Sequence, residues 1–264
     1  MTGFLVINPR SGDDEPSADE LREEAERRGI ETRLLGEGDD PGDLARDAPA
    51  GPLGMAGGDG SLSAVAQVAI DRDLPFVVVP FGTRNHFARD IGLDRDDPIA
   101  ALDALDGRER RIDVGRVNER LFLNNVSLGL YARLVHRREG HRRRRDAFAR
   151  LRALGLLLRR PGTLGVTIQG EPAHARIVLV ANNAYKVDLL EIGERDRIDE
   201  GELHLYVAHG WLPRHWEEQA GPTFTIDARA GRLRAAVDGE PEELKTPLEF
   251  AVEPAALRVL VPPG

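Results

Sequence analysis

The stretch Met55-Ala56-Gly57-Gly58-Asp59-Gly60-Ser61 constrains the fold more than any other part of the chain. An apolar run, Pro52 to Ala56, precedes it, and Leu62, Val65, Ala66, Val68 and Ala69 follow at helical spacing. The segment reads as strand, glycine turn, helix. Three glycines in four positions let the backbone approach a ligand closely and turn without a Cβ in the way. The following helix aims free N–H groups and the positive end of its dipole at the turn, a setting that suits phosphate. Asp59 is the single acid among these glycines. It repels bare phosphate, so it makes sense where a Mg²⁺ ion or a hydroxyl to be activated lies between. Nothing in the sequence gives it a structural duty, so its loss is expected to cost activity and leave stability nearly unchanged. For the motif alone, a tight βα turn with a solvated Asp is the competing reading.

Two further stretches repeat the pattern. Phe4-Leu5-Val6-Ile7 ends in Asn8-Pro9-Arg10-Ser11-Gly12, and Phe76-Val77-Val78-Val79 ends in Pro80-Phe81-Gly82-Thr83-Arg84-Asn85-His86-Phe87-Ala88-Arg89. All three are apolar strands whose C-terminal ends carry small polar residues, and in open α/β sheets ligands bind at that edge.

The order Asn-Pro-x-Ser-Gly, Gly-Gly-Asp-Gly-Ser, Pro-x-Gly-Thr-x-Asn-x-Phe-Ala resembles the diacylglycerol kinase catalytic-domain family, which includes bacterial lipid kinases and sphingosine and ceramide kinases. The Gly-Gly-Asp-Gly element alone is shared with NAD kinases and 6-phosphofructokinases. The resemblance implies an α/β N-terminal domain with a parallel sheet and a β-rich antiparallel sandwich C-terminal domain, with the active site in a cleft between them. Its dense motifs lie in the first half of the chain.

Composition bounds the alternatives. The 264 residues suffice for one large or two ordinary domains, and 41% hydrophobic residues fit a globular protein. No run approaches the ~20 apolar residues of a membrane span, and no secretory leader is expected. With no cysteine, neither disulfides nor thiolates contribute. The expected location is cytoplasmic, with a peripheral position on the inner face of the membrane as an option. A net charge of −9 argues against a nucleic-acid partner. Yet residues 137–160 hold ten Arg against Glu139 and Asp146, a balance of +8, so the rest of the chain carries −17. Phe148, Leu151, Leu154 and Leu156–Leu158 lie among these Arg. The mixture resembles an amphipathic helix for an anionic membrane surface; a solvated helix covering the second domain, or a partner site, is the alternative. Oligomeric state stays open, with a homodimer among the options.

Taken in order, Pro16 to Arg28 reads as a helix with Ser17 as N-cap, Glu20 three residues on and Gly29 as terminator. Strand-like Glu31–Leu35, a short helix over Asp40–Ala48, the glycine unit, Phe76–Pro80, a helix from Arg84 and another over Pro98–Leu105 continue a βαβα alternation, hence a parallel sheet. The pattern changes near Arg110. Arg111–Val117 and Leu121–Ser127 read as strands, Leu128–Arg138 as a helix. Short alternating runs follow from Gly162: Leu164–Ile168, Ala175–Ala181, Glu202–Val207, Thr223–Asp227, Leu233–Asp238 and Leu248–Val252. Leu257–Val261 is placed to return and pair elsewhere. The expected domains are 1–110, nucleotide-binding, and 111–264, a β-rich lipid-acceptor domain.

Kinase chemistry needs phosphate positioning, Mg²⁺ and a base for the attacking hydroxyl. The resemblance implies that Asn8, Ser11, Gly57, Gly58, Gly60, Ser61, Thr83 and Asn85 bind ATP; singly, Asn8, Ser11 and Thr83 are equally well read as caps or turns. In Val237-Asp238-Gly239-Glu240, Asp-Gly after a strand is an ordinary hairpin signal and Glu240 a surface acid. By resemblance, Glu240 matches the general base, with Asp59 as the competing base or as an organiser of Mg²⁺. Also by resemblance, Asp199 holds a structural Mg²⁺ and Asp113 connects that ion to the site; the competing reading of each is an Asp in a turn. Ser63, Ala64 and His86 stand where the family often has Asn, Glu and Asp, which puts acceptor specificity in question more than phosphoryl transfer. The sequence thus points to an ATP- and Mg²⁺-dependent kinase acting on a hydroxyl of diacylglycerol or a related lipid. An NAD kinase-like enzyme and a regulatory nucleotide-binding module without transfer activity are the rivals.

Overall fold

The computed structural model describes residues 3–12, 16–82, 85–129, 163–186, 195–209 and 216–262. The chain divides into two compact units: Met1–Val114 with Glu194–Gly201 and Glu253–Gly264, and Gly115–Gly193 with Glu202–Val252.

The first unit is built on β1 (Phe4–Ile7), α1 (Ala18–Arg27), β2 (Glu31–Leu34), α2 (Pro41–Arg46), β3 (Leu53–Gly57), α3 (Asp59–Asp71), β4 (Phe76–Pro80), α4 (His86–Asp90) and a 3₁₀ helix, Ala100–Asp106. Strands β2, β1, β3 and β4 lie side by side in that order, all parallel. Every residue of β1, β3 and β4 is buried, as strands covered on both faces require. Helix α1 forms as its capping box predicts. The Glu20 amide donates to Ser17 Oγ at 3.2 Å and the Ser17 amide to Glu20 Oε2 at 2.7 Å, which holds the Glu20 carboxyl below its usual pKa.

The second unit carries the end of β5 (Arg108–Val117), then β6 (Arg120–Phe122), β7 (Asn125–Gly129), β8 (Leu164–Ile168), β9 (Glu171–Ala175), β10 (Ile177–Asn182), β11 (Leu203–Ala208), β12 (Trp216–Gly221), β13 (Thr223–Asp227), β14 (Arg232–Val237), β15 (Glu240–Lys245) and the start of β16 (Leu248–Val261). One antiparallel sheet has the order β12-β11-β10-β7-β14-β15; opposite it, β16, β13, β8 and β9 pair antiparallel. Val126, Leu128, Val178, Val180, Leu205 and Val237 of the first sheet share one core with Val166, Ile168, Phe224, Ile226 and Phe250 of the second. Phe122 meets Phe250 edge-on, with ring centroids 6.4 Å apart. The expected class, a parallel α/β domain followed by an antiparallel sandwich, is the one observed.

Several boundaries differ from the sequence reading. The run Pro98–Leu105 winds as 3₁₀ over Ala100–Asp106. Leu121–Ser127 is broken at Leu123-Asn124, whose amides turn to the Asp238 carboxylate instead of a strand partner. Of Leu128–Arg138, the described part is the end of β7, and the remainder, like residues 137–160, lies outside the described residues. Strands β9, β12 and β15 are polar edge strands with no apolar alternation to announce them.

Besides the last run, whose return to the first unit was anticipated, the segment Glu194–Gly201 also belongs to the first unit. Asp113, 2% exposed, bonds to both segments. Its Oδ2 accepts from the Gly201 amide at 2.7 Å and its Oδ1 from the Ala255 amide at 2.8 Å, while its own amide donates to the Ile198 carbonyl at 3.0 Å. Val259 and Leu260 of β16 then pair parallel with Phe76 and Val77 of β4, the return anticipated for the last run. Arg258 grips Glu109 with two bonds, 2.9 and 2.7 Å, which holds that carboxyl below its usual pKa. Asp113→Ala strands two amides far apart in sequence, at an expected cost on the order of 3 kcal/mol. Urea unfolding and amide exchange at Gly201 and Ala255 check this; a loss below about 1 kcal/mol with unchanged protection overturns it.

Candidate phosphate-binding site

Neighbouring strands β1, β3 and β4 deliver their C-terminal loops to one sheet edge. The Asn8 amide donates to the Ala56 carbonyl at 2.9 Å, and the Phe81 amide to the Gly57 carbonyl at 3.3 Å. Asn8 folds its own loop: its Oδ1 accepts from the Arg10 amide at 3.1 Å and its carbonyl from the Ser11 amide at 3.1 Å. Gly12 lies against the ring of Phe81, where a Cβ would collide.

None of Gly57, Gly58 and Gly60 has a positive φ. At Gly57 and Gly82 it is closeness, not left-handed backbone, that demands glycine. A Cβ on Gly82 would lie 2.6 Å from Gly58 Cα, so the second and third loops touch backbone to backbone. A Cβ on Gly57 would strike Ser61 Oγ, whose hydroxyl donates to the Gly58 carbonyl at 2.9 Å. Helix α3 starts immediately after Gly58, which provides no side-chain cap. The first amides of such a helix have no partner four residues back, and the Ser61 amide is already turned to the Gly58 carbonyl at 3.0 Å.

Asp59 does not point into empty solvent. Its Oδ2 accepts from the His86 amide at 3.2 Å and its Oδ1 from the Phe87 amide at 3.0 Å. It therefore caps α4, whose own N-cap residue, Asn85, makes no side-chain cap bond and sits at φ 47°. The expectation that Asp59 has no structural duty is corrected: the acid fastens the second loop to the third. Asn85, 5% exposed, donates to the carbonyls of Gly82 at 2.8 Å and Arg95 at 3.0 Å, and its buried Oδ1 has no partner among the described residues. Position 86 contributes its backbone amide to the cap, which His supplies as well as an acid does. Thr83 lies outside the described residues.

At its other end α4 is held by a pair that sequence reasoning missed. Arg195 Nε donates to Asp90 Oδ2 at 2.7 Å with both side chains fully buried, and its guanidinium lies 5.9 Å from the centre of the Phe87 ring. No local pattern marks these two residues as partners.

The acids expected to hold a metal have other occupations. Asp113 is committed to the two amides described above. The exposed Asp199 carboxylate lies between Arg197, at 3.2 Å, and Arg110, at 3.4 Å. Among the described residues no group of three or more acids and histidines is placed to hold a metal ion. Glu240, in the second unit, is exposed and opens β15 directly after the Asp238-Gly239 turn.

A parallel α/β unit with three small-residue loops at one sheet edge, followed in the chain by an antiparallel sandwich, is an arrangement suited to binding phosphate. Residues 2–117 match the model of the diacylglycerol kinase catalytic domain. A protein of Cronobacter sakazakii named a probable lipid kinase YegS-like is 29% identical over 98% of this chain and 96% of its own. A diacylglycerol kinase of Bacillus subtilis is 37% identical over 31% of this chain and 28% of its own. The fold is that of a diacylglycerol kinase structure from Bacillus anthracis str. Sterne, with a TM-score of 0.70 at 15% identity over 98% of this chain and 96% of that one.

Asp59→Ala removes the cap of α4, at an expected cost of about 1–2 kcal/mol, of which Asp59→Asn recovers part. Thermal or chemical unfolding measures both, and an Asp59→Ala protein as stable as the parent overturns the capping role.

Proposed function

We propose that this protein is a lipid kinase that transfers the γ-phosphoryl group of ATP to a hydroxyl of diacylglycerol or a related lipid. The observation that carries the reading is the row of three loops on neighbouring parallel strands, joined by the Asp59 carboxylate and the Gly58–Gly82 contact. The family match of residues 2–117 and the names of the relatives support it.

In this reading Asn8, Ser11, Gly57, Gly58, Gly60, Ser61, Thr83 and Asn85 cradle the nucleotide's phosphates with amides and small polar groups. The acceptor hydroxyl oxygen forms the new bond to the γ-phosphorus, the bond from that phosphorus to ADP breaks, and Glu240 takes the hydroxyl proton. Both Asp59 oxygens already hold amides, so Asp59 serves best as organiser of the loops and Glu240 as the base. Mg²⁺ is commonly held by one or two carboxylates together with substrate phosphates, so a closed protein cage is not required for ATP chemistry.

Incubation with labelled ATP and a lipid extract is expected to yield a labelled lipid; label in NAD, or none, overturns the reading. Glu240→Gln is expected to lower kcat by about 10²–10⁴-fold with the ATP dissociation constant within about threefold. A large loss for Asp59→Asn together with a small one for Glu240→Gln would reverse the two roles.

The basic stretch 137–160 lies outside the described residues, and its charge alone supports contact with an anionic membrane face. Among the described residues no helix is long and apolar enough to cross a membrane. Changing Arg142, Arg143, Arg144 and Arg145 to Glu is expected to weaken binding to anionic vesicles by about 1 kcal/mol per charge at low salt, without affecting ATP binding. Identical sedimentation with vesicles for variant and parent removes the membrane contact.

A further inference from the structure

Between β14 and β15 the chain turns on two residues, Asp238 at φ 48° and Gly239 at φ 87°, with Val237 paired to Glu240. This is the type I′ hairpin geometry that Asp-Gly favours. A turn Asp ordinarily bonds its own neighbours or water. Asp238 is 7% exposed, and its carboxylate takes three consecutive amides from the link between β6 and β7: Leu123 at 2.8 Å, Asn124 at 2.7 Å and Asn125 at 3.1 Å. Its own amide donates to the Asn125 carbonyl at 2.9 Å.

Asn182, 1% exposed at the end of β10, completes the arrangement from the other side. Its Nδ2 donates to the Leu123 carbonyl at 3.1 Å and its amide to the Asn124 carbonyl at 2.9 Å, while Asn183 Nδ2 donates to Asn182 Oδ1 at 3.3 Å. Every backbone N–H and C=O of Leu123, Asn124 and Asn125 is therefore bonded to Asp238 or Asn182. A hairpin turn alone fixes β15 only relative to β14. This clamp also fixes the turn, and with it the start of β15, against β7 and β10.

We infer that Asp238 and Asn182 are positioning residues that set the place of Glu240, two residues beyond the clamped turn. The inference rests on the reading of Glu240 as the acceptor's base. Proton transfer works over about 2.6–3.2 Å between heavy atoms, and a misplacement of about 1 Å costs on the order of 10²-fold. Asp238→Asn puts an NH₂ group, which accepts nothing, where an oxygen meets an amide. The turn residues and their spacing are retained, but at most two of the three amides of Leu123, Asn124 and Asn125 keep an acceptor.

The test uses the full chain, labelled ATP and dioleoylglycerol in mixed micelles, well below the unfolding temperature. Asp238→Asn is expected to lower kcat per folded molecule about 10–100-fold with the KM for ATP within about threefold, and Asn182→Ala to lower kcat about 3–10-fold. A purely structural clamp would lower stability and leave kcat per folded molecule at the parental value. Folded Asp238→Asn with kcat within twofold of the parent, beside a Glu240→Gln enzyme that has lost at least 100-fold, overturns the positioning role and leaves the base reading standing. A Glu240→Gln enzyme with parental kcat overturns both. Should Asp238→Asn fail to fold, Asn182→Ala decides: a kcat loss of threefold or more supports the role, and an unchanged kcat overturns it.

Discussion

Three carboxylates that accept backbone amides from distant parts of the chain hold the described structure together. Asp59 takes amides 27 and 28 residues away, Asp113 amides 88 and 142 residues away, and Asp238 amides 113 to 115 residues away. A loop whose amides have left the sheet ladder must find acceptors or leave polar groups buried and unpaired. An ionised carboxylate is the strongest acceptor in the side-chain repertoire and carries two oxygens, so one acid serves two or three amides at once. Each of these bonds closes a long stretch of chain.

Asp113 shows what such a bond accomplishes. The first unit consists of three chain segments, ending at Val114, spanning Glu194–Gly201 and resuming at Glu253. The partners of Asp113 lie at Gly201 and Ala255, so one side chain gathers all three segments close to where the chain passes from unit to unit. Asp59 performs the corresponding service at the sheet edge. Without it the α4 amides would lack their acceptor, and the third loop would lose its fastening to the second.

Much of this was legible locally. The strand–glycine turn–helix unit, the Ser17–Glu20 capping box and the fully apolar strands β1 and β4 follow from spacings of four residues or fewer, over which periodicity and capping rules operate. The three loops at strand ends were legible for the same reason. The polar edge strands β9, β12 and β15 were not, because a strand half-exposed at a sheet edge needs no apolar alternation. The pairing of Asp90 with Arg195 and the clamp of Asp238 and Asn182 were hidden because each joins residues that no local pattern connects.

The sequence by itself determined a parallel α/β half followed by a half of short strands, the small-residue loops at the ends of β1, β3 and β4, and the match of residues 2–117 to the diacylglycerol kinase catalytic-domain model. It also marked Asp59, Asp113, Asp199 and Glu240 as candidates for special duty. Only the tertiary structure decided what each acid touches: amides for Asp59, Asp113 and Asp238, arginines for Asp199. The physical reason is that a carboxylate has the same composition and local neighbours whether it waits for a ligand or holds a backbone. Its partner is set by which distant segment the packed sheets bring within about 3 Å.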